Sequence, residues 1–207
     1  MATLWRMSWK VLITARTFKE VGGLAFEKLK SEGCDVVVPG RFGPYAANDL
    51  LPLLNGVDAV LCSPDQYSES VLNSSEASRL KIISRWGVGY DSIDYVAAAR
   101  AGIVVAFTPG VLNETVADYT FALILSVARR VHEGYREMAA GNWKLFWGHD
   151  VFGKTLGIIG CGRIGQAVAR RAAGFNQRIL VYDIAPPPEA EKLGITQVGL
   201  DELLAES

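Results

Sequence analysis

Histidine is scarce in this chain of 207 residues: there are two, His132 and His149. The three cysteines, Cys34, Cys62 and Cys161, stand far apart without a CxxC pair. They therefore outline neither a zinc site nor a disulfide framework, no metal ligand set is expected, and a reducing, cytoplasmic setting fits them best. Surplus charge is also missing. Lys+Arg 21 against Asp+Glu 22 leaves a formal charge of -1, without the basic excess that a nucleic-acid backbone demands, so no nucleic-acid partner is expected. The most apolar stretch, Val116 to Ala128, carries Asp118 inside it and is shorter than the roughly 20 residues a membrane helix needs, so no membrane partner is expected either. The first ten residues hold neither the apolar core nor the small-residue cleavage site of a secretory leader, and Met7 is a second candidate start. Internal repeats are absent, and the one local bias, Pro186-Pro187-Pro188, reads as a stiff turn ending a strand, with partner docking as the lesser alternative.

What is present is apolar mass. Half the residues are hydrophobic and 21% are charged, enough to bury a sizeable core. Short runs rich in β-branched residues recur at Val11–Thr14, Val36–Val38, Ala59–Cys62, Lys81–Ser84, Ile103–Ala106, Leu156–Gly160 and Ile179–Asp183. A further short strand is expected near Gln197-Val198. Their near-continuous apolarity marks strands buried on both faces of a parallel sheet. Helical patterns at about Val21–Ser31, Ala47–Leu54, Ile93–Arg100 and Arg163–Ala173 separate most of them, the βαβ rhythm of an α/β protein. One stretch departs from it. From Thr115 to Ala140 apolar residues step by three or four, which predicts one amphipathic helix roughly 40 Å long. Thr115 with Asp118 is expected to cap its start and Gly141 to end it.

Gly160-Cys161-Gly162-Arg163-Ile164-Gly165 reads G-x-G-x-x-G. Alone the pattern is weak, but a strand precedes it and a helix follows. In that setting Gly160 permits the turn, Gly162 leaves room for a pyrophosphate, and Gly165 lets helix and strand pack closely. The amides of Arg163 and Ile164 then face the anion at the helix start. Eighteen residues beyond Gly165 the next strand ends at Asp183, a carboxylate able to accept ribose hydroxyls and to repel a 2′-phosphate. The cofactor read from this order is NAD in preference to NADP; a glycine-rich turn beside a solvated Asp is the competing reading.

The run Leu156 to Gly165 followed by Ile179-Leu-Val-Tyr-Asp183, with Ser84-Arg-Trp-Gly-Val-Gly-Tyr-Asp-Ser-Ile-Asp94 and Asn113-Glu-Thr-Val-Ala-Asp-Tyr-Thr120 upstream, resembles the D-isomer-specific 2-hydroxyacid dehydrogenase family. Within it, the chain looks most similar to the phosphoglycerate-dehydrogenase-like branch. The resemblance implies an α/β architecture: a flavodoxin-like substrate domain over residues 8–113, then an interdomain helix and the first part of a Rossmann NAD-binding domain over residues 114–207, with ligands in the cleft between them. It implies an NAD-dependent oxidoreductase of a small 2-hydroxy or 2-oxo acid; a homodimer is expected separately, from the long helix and the aromatic segment Trp143 to Trp147. By the same resemblance, the amides of Gly87, Val88 and Gly89 hold the substrate carboxylate, while Val88 and Thr115 lie near the nicotinamide. The substrate type stays open among phosphoglycerate, hydroxypyruvate and glyoxylate, with phosphoglycerate put in doubt because the phosphate-binding Arg-Ser pair of that branch is replaced by Cys62-Ser63-Pro64-Asp65. Three readings of Arg85 stay open: a cation beside the loop, a stack on Trp86, or a structural pairing. The family's catalytic arginine, glutamate and histidine match no residue here. They belong to segments well after the ribose-binding Asp and are expected beyond Ser207, while His132 and His149 read as structural. This chain alone is therefore expected to lack turnover, and a non-catalytic NAD-binding module is the alternative.

Overall fold

The computed structural model describes residues 8–185 and 190–207; the second candidate start at Met7 and the three-proline turn lie outside them. Two compact units are present, one ending at Pro109 and the other beginning at Gly110.

The first unit contains β1 (Lys10–Ile13), α1 (Phe18–Val21), α2 (Gly23–Ser31), β2 (Asp35–Val37), α3 (Ala47–Leu50) with a 3₁₀ turn at Leu51–Leu54, β3 (Ala59–Cys62), α4 (Glu69–Leu72), β4 (Ile82–Arg85), α5 (Tyr95–Arg100) and β5 (Val104–Ala106). The five strands form a parallel sheet in the order β2-β1-β3-β4-β5, the flavodoxin-like order expected. Successive residues on a strand point to opposite faces, and here both faces are covered. Leu12, Val60, Cys62 and Ile83 join one cluster with Leu50, Leu54 and Tyr67. Val11, Ile13 and Ala59 join another with Phe18, Phe26 and Trp86. Burial on both sides is why these runs are apolar without alternation. At the switch point, where β1 neighbours β3, the buried polar residues Thr14, Ser63 and Asp65 fill the crevice. The Asp65 carboxylate accepts the Thr14 hydroxyl and, at 2.8 Å, the Tyr45 amide.

The second unit comprises α6 (Asn113–Ala128), α7 (Val131–Ala139), β6 (Thr155–Ile159), α8 (Arg163–Ala172), β7 (Arg178–Tyr182), β8 (Ile195–Gln197) and α9 (Leu200–Glu206). Its strands are parallel in the order β6-β7-β8, one half of a dinucleotide-binding sheet; among the described residues β6 pairs on one side only. Ala117 and Phe121 of α6 pack with Ala167, Val168 and Ala172 of α8, and Phe121 stacks on Phe175 with ring centroids 5.2 Å apart. Ser207 has a packing role of its own. Its hydroxyl donates to Leu203 O at 2.6 Å, closing α9, and its Oγ stands 2.6 Å from where a Cβ on Gly157 would lie, so the end of α9 rests directly on β6.

The single long helix expected over Thr115–Ala140 is two helices. Ala128's carbonyl accepts the His149 amide at 2.8 Å, and Arg130 adopts a left-handed φ of 54°. The Arg130 guanidinium donates to both Glu133 oxygens at 2.6 Å and lies 5.0 Å from the Phe146 ring centre. The returning chain therefore holds the joint open, and Gly148 permits its approach, since a Cβ there would lie 2.6 Å from the Ala128 carbonyl. The expected start is also corrected. Leu112 occupies the N-cap without a side-chain bond, leaving Thr115 in the first turn. Asp118 turns to Arg171 Nε at 2.6 Å instead, and Glu114 to Arg170 and Arg171 at 2.5 and 2.7 Å. The expected end holds: Gly141 has φ 78°, with its amide on Met138 O at 3.0 Å and that of Asn142 on Glu137 O at 2.9 Å, the paired bonds of a Schellman motif.

Candidate binding loops

Each unit places a glycine loop at the carboxyl end of a parallel strand. In the first, β4 runs into Trp86-Gly87-Val88-Gly89-Tyr90. Gly87 has φ 141°, a conformation other residues resist, and a Cβ on it would sit 2.9 Å from Arg85 Nη1. Arg85 does not stack on Trp86. Its Nε donates to Gly89 O at 2.7 Å, and its Nη1 donates to Cys62 O at 3.4 Å and to Trp86 O. Trp86 packs edge-on to Phe18 at 5.8 Å and donates its indole N–H to Thr17 Oγ1 at 3.0 Å. Of the three amides expected to face a carboxylate, that of Gly87 is used internally, donating to Arg85 O at 2.9 Å. Among the described residues, none accepts the amides of Val88, Gly89 or Tyr90. Tyr90, part of the motif but assigned no role from it, packs its ring against Tyr95 and Phe107, 5.8 and 4.9 Å away, which pins the far end of the loop. Asp94, part of the same motif, accepts the Ala97 amide at 2.9 Å and caps α5, a structural use.

In the second unit, β6 turns at Gly160, with φ 87°, into α8. A Cβ on Gly165 would collide with the carbonyl of Gly160, so helix and strand approach as closely as glycine allows. A Cβ on Gly162 would meet nothing within 4 Å; it would stand in open space on the rim of the turn. The first i to i−4 bond of α8 runs from the Gln166 amide to Gly162 O at 3.0 Å. The preceding amides of Arg163, Ile164 and Gly165 therefore lie ahead of the helical ladder, at the positive end of the helix dipole. These residues fit a dinucleotide pyrophosphate.

Asp183, immediately after β7, reaches back across the turn: its Oδ2 accepts the Cys161 amide at 2.5 Å and its Oδ1 the Ala185 amide at 3.2 Å. The Cys161 amide above all, then that of Ala185, holds the carboxyl below the usual carboxylate range. Asp183 is thus ionised near neutral pH and keeps lone pairs for sugar hydroxyls. Burial, then the Asp183 charge, pushes the Cys161 thiol up. Cys62, in the first unit, is pushed up to about 12 by burial. Thr115 is exposed on α6, in the same unit as this cradle. His132 and His149 are exposed, and no group of His, Cys, Asp or Glu among the described residues is placed to hold a metal ion.

The glycine cradle with its tethered acid lies within residues 121–207, which match the family model described as D-isomer specific 2-hydroxyacid dehydrogenase, NAD binding domain. Residues 121–207 thus belong to this family's NAD-binding domain. It is 51% identical over 138 residues to a glyoxylate reductase of Korarchaeum cryptofilum, covering 63% of this chain and 42% of the relative. A Thermus thermophilus protein of solved structure superposes with a TM-score of 0.83 at 38% identity, over 96% of this chain and 62% of that one. The D-lactate dehydrogenase of Aquifex aeolicus, solved with NAD and lactic acid, superposes with a TM-score of 0.79 at 26% identity, over 96% and 58%. The chain spans about half the length of the curated relatives it matches.

Proposed function

We propose that this chain carries the carboxylate loop and the NAD cradle of an NAD-dependent oxidoreductase that interconverts a small 2-oxo acid and its D-2-hydroxy acid. One observation carries the reading: a glycine turn at the end of a parallel strand whose spare helix amides face outward, with an ionised Asp183 tied across it at 2.5 Å. When bound, the reduced dinucleotide supplies the hydride. The chain's own residues bind and orient. Gly160, Gly162 and Gly165 shape the turn, the amides of Arg163 and Ile164 hold the pyrophosphate, and Asp183 accepts the adenosine ribose hydroxyls while repelling a 2′-phosphate. Thr115 and Val88 serve the nicotinamide end. Val88 and Gly89, with Tyr90, hold the substrate carboxylate through backbone amides, a nest for an anion. Cys62-Ser63-Pro64-Asp65, in place of the branch's phosphate-binding Arg-Ser pair, speaks against a phosphorylated acid, and relatives named glyoxylate reductase support a two- or three-carbon substrate.

Titration with NADH and NADPH, followed by energy transfer from tryptophan, tests the cofactor. NADH is expected to bind at least about tenfold more tightly, a difference of about 1.4 kcal/mol, and Asp183→Ala to erase most of that preference. Equal affinities in the unaltered chain would overturn the assignment. We further propose a homodimer, on the apolar stripe of α6 and α7 and the segment after it: Tyr119, Val127, Tyr135, Trp143 and Trp147 are all exposed. A monomeric mass in light scattering at high concentration would remove it.

A further inference from the structure

The loop after β4 lacks what the second unit's cradle has. No helix begins there, so no dipole and no row of first-turn amides aims at an anion. What stands in its place is a set of side-chain bonds to the loop's carbonyls. Gly87 O accepts from both the amide and the hydroxyl of Thr108, each at 3.1 Å. Gly89 O accepts from Arg85 Nε at 2.7 Å, and the same guanidinium donates to the carbonyls of Cys62 and Trp86. In a trans peptide the carbonyl and the amide of one unit point in opposite directions. Drawing Gly87 O to Thr108 therefore turns the Val88 amide away from Thr108, and drawing Gly89 O to Arg85 turns the Tyr90 amide away from Arg85. Those are two of the three amides that no described residue accepts.

We propose that Arg85, assisted by Thr108, is a positioning residue for substrate binding: it grips the loop by its carbonyls, so that the opposite ends of the same peptide units present their N–H groups to the substrate carboxylate. The inference rests on reading this loop as the carboxylate site. The positive charge of Arg85 also polarises the gripped peptides and strengthens their amides as donors. Gly87 follows from the same arrangement, since the guanidinium stands 2.9 Å from where a Cβ would lie. Lysine in place of Arg85 keeps the charge but loses the fork that reaches several carbonyls together.

The test is a titration of the ¹⁵N-labelled chain with glyoxylate, read at the amides of Val88, Gly89 and Tyr90, with the Trp86 indole N–H as a reporter of local folding. The unaltered chain should show saturable shifts at these amides. Arg85→Met should weaken binding by about tenfold or more, with Arg85→Lys and Thr108→Val each falling in between, at about threefold. The Tyr90 amide should move in Arg85→Met before any glyoxylate is added, because its peptide is released, while the Asp183 and Cys161 amides stay in place. Wild-type affinity in Arg85→Met would overturn the positioning role and leave the carboxylate site standing. Absence of saturable shifts in the unaltered chain would overturn the site and this role together. Should Arg85→Met lose the Trp86 signal, the two milder variants decide, and unchanged affinity in both rejects the proposal.

Discussion

The two glycine loops solve one problem by different means. After β6, glycines let a helix begin so close to a strand that its first amides are left spare, and in the proposed reading the backbone itself serves as the anion site. After β4 no helix starts, and the loop holds its shape because Arg85 and Thr108 hold its carbonyls. A backbone-built site depends on close packing; a side-chain-braced one depends on a few named bonds. The acid beside each follows suit. Asp183 is half-buried and is held below the usual carboxylate range by the amides it accepts, whereas burial is what pushes Asp65 up, against the hydrogen bonds from Thr14 and Tyr45.

The largest effect should come from Gly165→Ala. Its methyl group would meet the Gly160 carbonyl, part of the main chain, so strand and helix must separate, at about 3 kcal/mol. Urea unfolding followed at the amides of the second unit checks it, and those of the first unit should hold. Gly87→Ala should cost about 1–2 kcal/mol, because it meets a movable guanidinium at 2.9 Å and strains one residue. In that variant glyoxylate shifts should fail while NADH still binds. Equal costs for the two substitutions would erase the contrast between a packed and a braced loop.

The pH responses should carry opposite signs. Asp183 titrates below its unfolded value of about 3.9, so the stability it contributes is present above that value and is lost as pH falls through its lowered folded pKa. Asp65 is raised, so its contribution is full below the unfolded value and is lost as pH rises through the raised pKa. Residue-resolved hydrogen exchange between pH 3 and 7 should show the first unit losing protection upward through that window and the second losing it at the acid end. Asp65→Asn should flatten the first trend and Asp183→Asn the second. The smallest effect belongs to Arg171→Met. Its carboxylate partners Glu114 and Asp118 are exposed, and such solvent-screened pairs contribute little; the small difference should shrink further in high salt.

Most of the fold was legible because parallel strands buried on both faces leave an unmistakable apolar rhythm, and because strand, glycine turn, helix and acid occur in fixed order around Gly160 and Asp183. The break at Arg129 and Arg130 was not. No proline or glycine marks it, and the step from Val127 to Val131 keeps the helical spacing. Its causes, the His149 amide on Ala128 and the Phe146 ring beside Arg130, lie about 20 residues away in the chain. The grip of Arg85 was hidden for a related reason. An arginine beside a tryptophan reads locally as a stacking pair, and only the curl of the loop brings Gly89 back onto the guanidinium. Tyr90 was legible as part of the motif but was given no role of its own, because the role proposed for it belongs to its amide and not to its side chain.

The bent joint between α6 and α7 also limits how this surface could meet another. A straight apolar rod can slide along a like rod by one helical turn and bury nearly the same area, which leaves the register undecided. Here the rod turns a corner at Arg130, with an ion pair and an aromatic ring fixed at the elbow. Any partner must match the elbow as well as the stripe, so slipping by a turn would drive charge into oil.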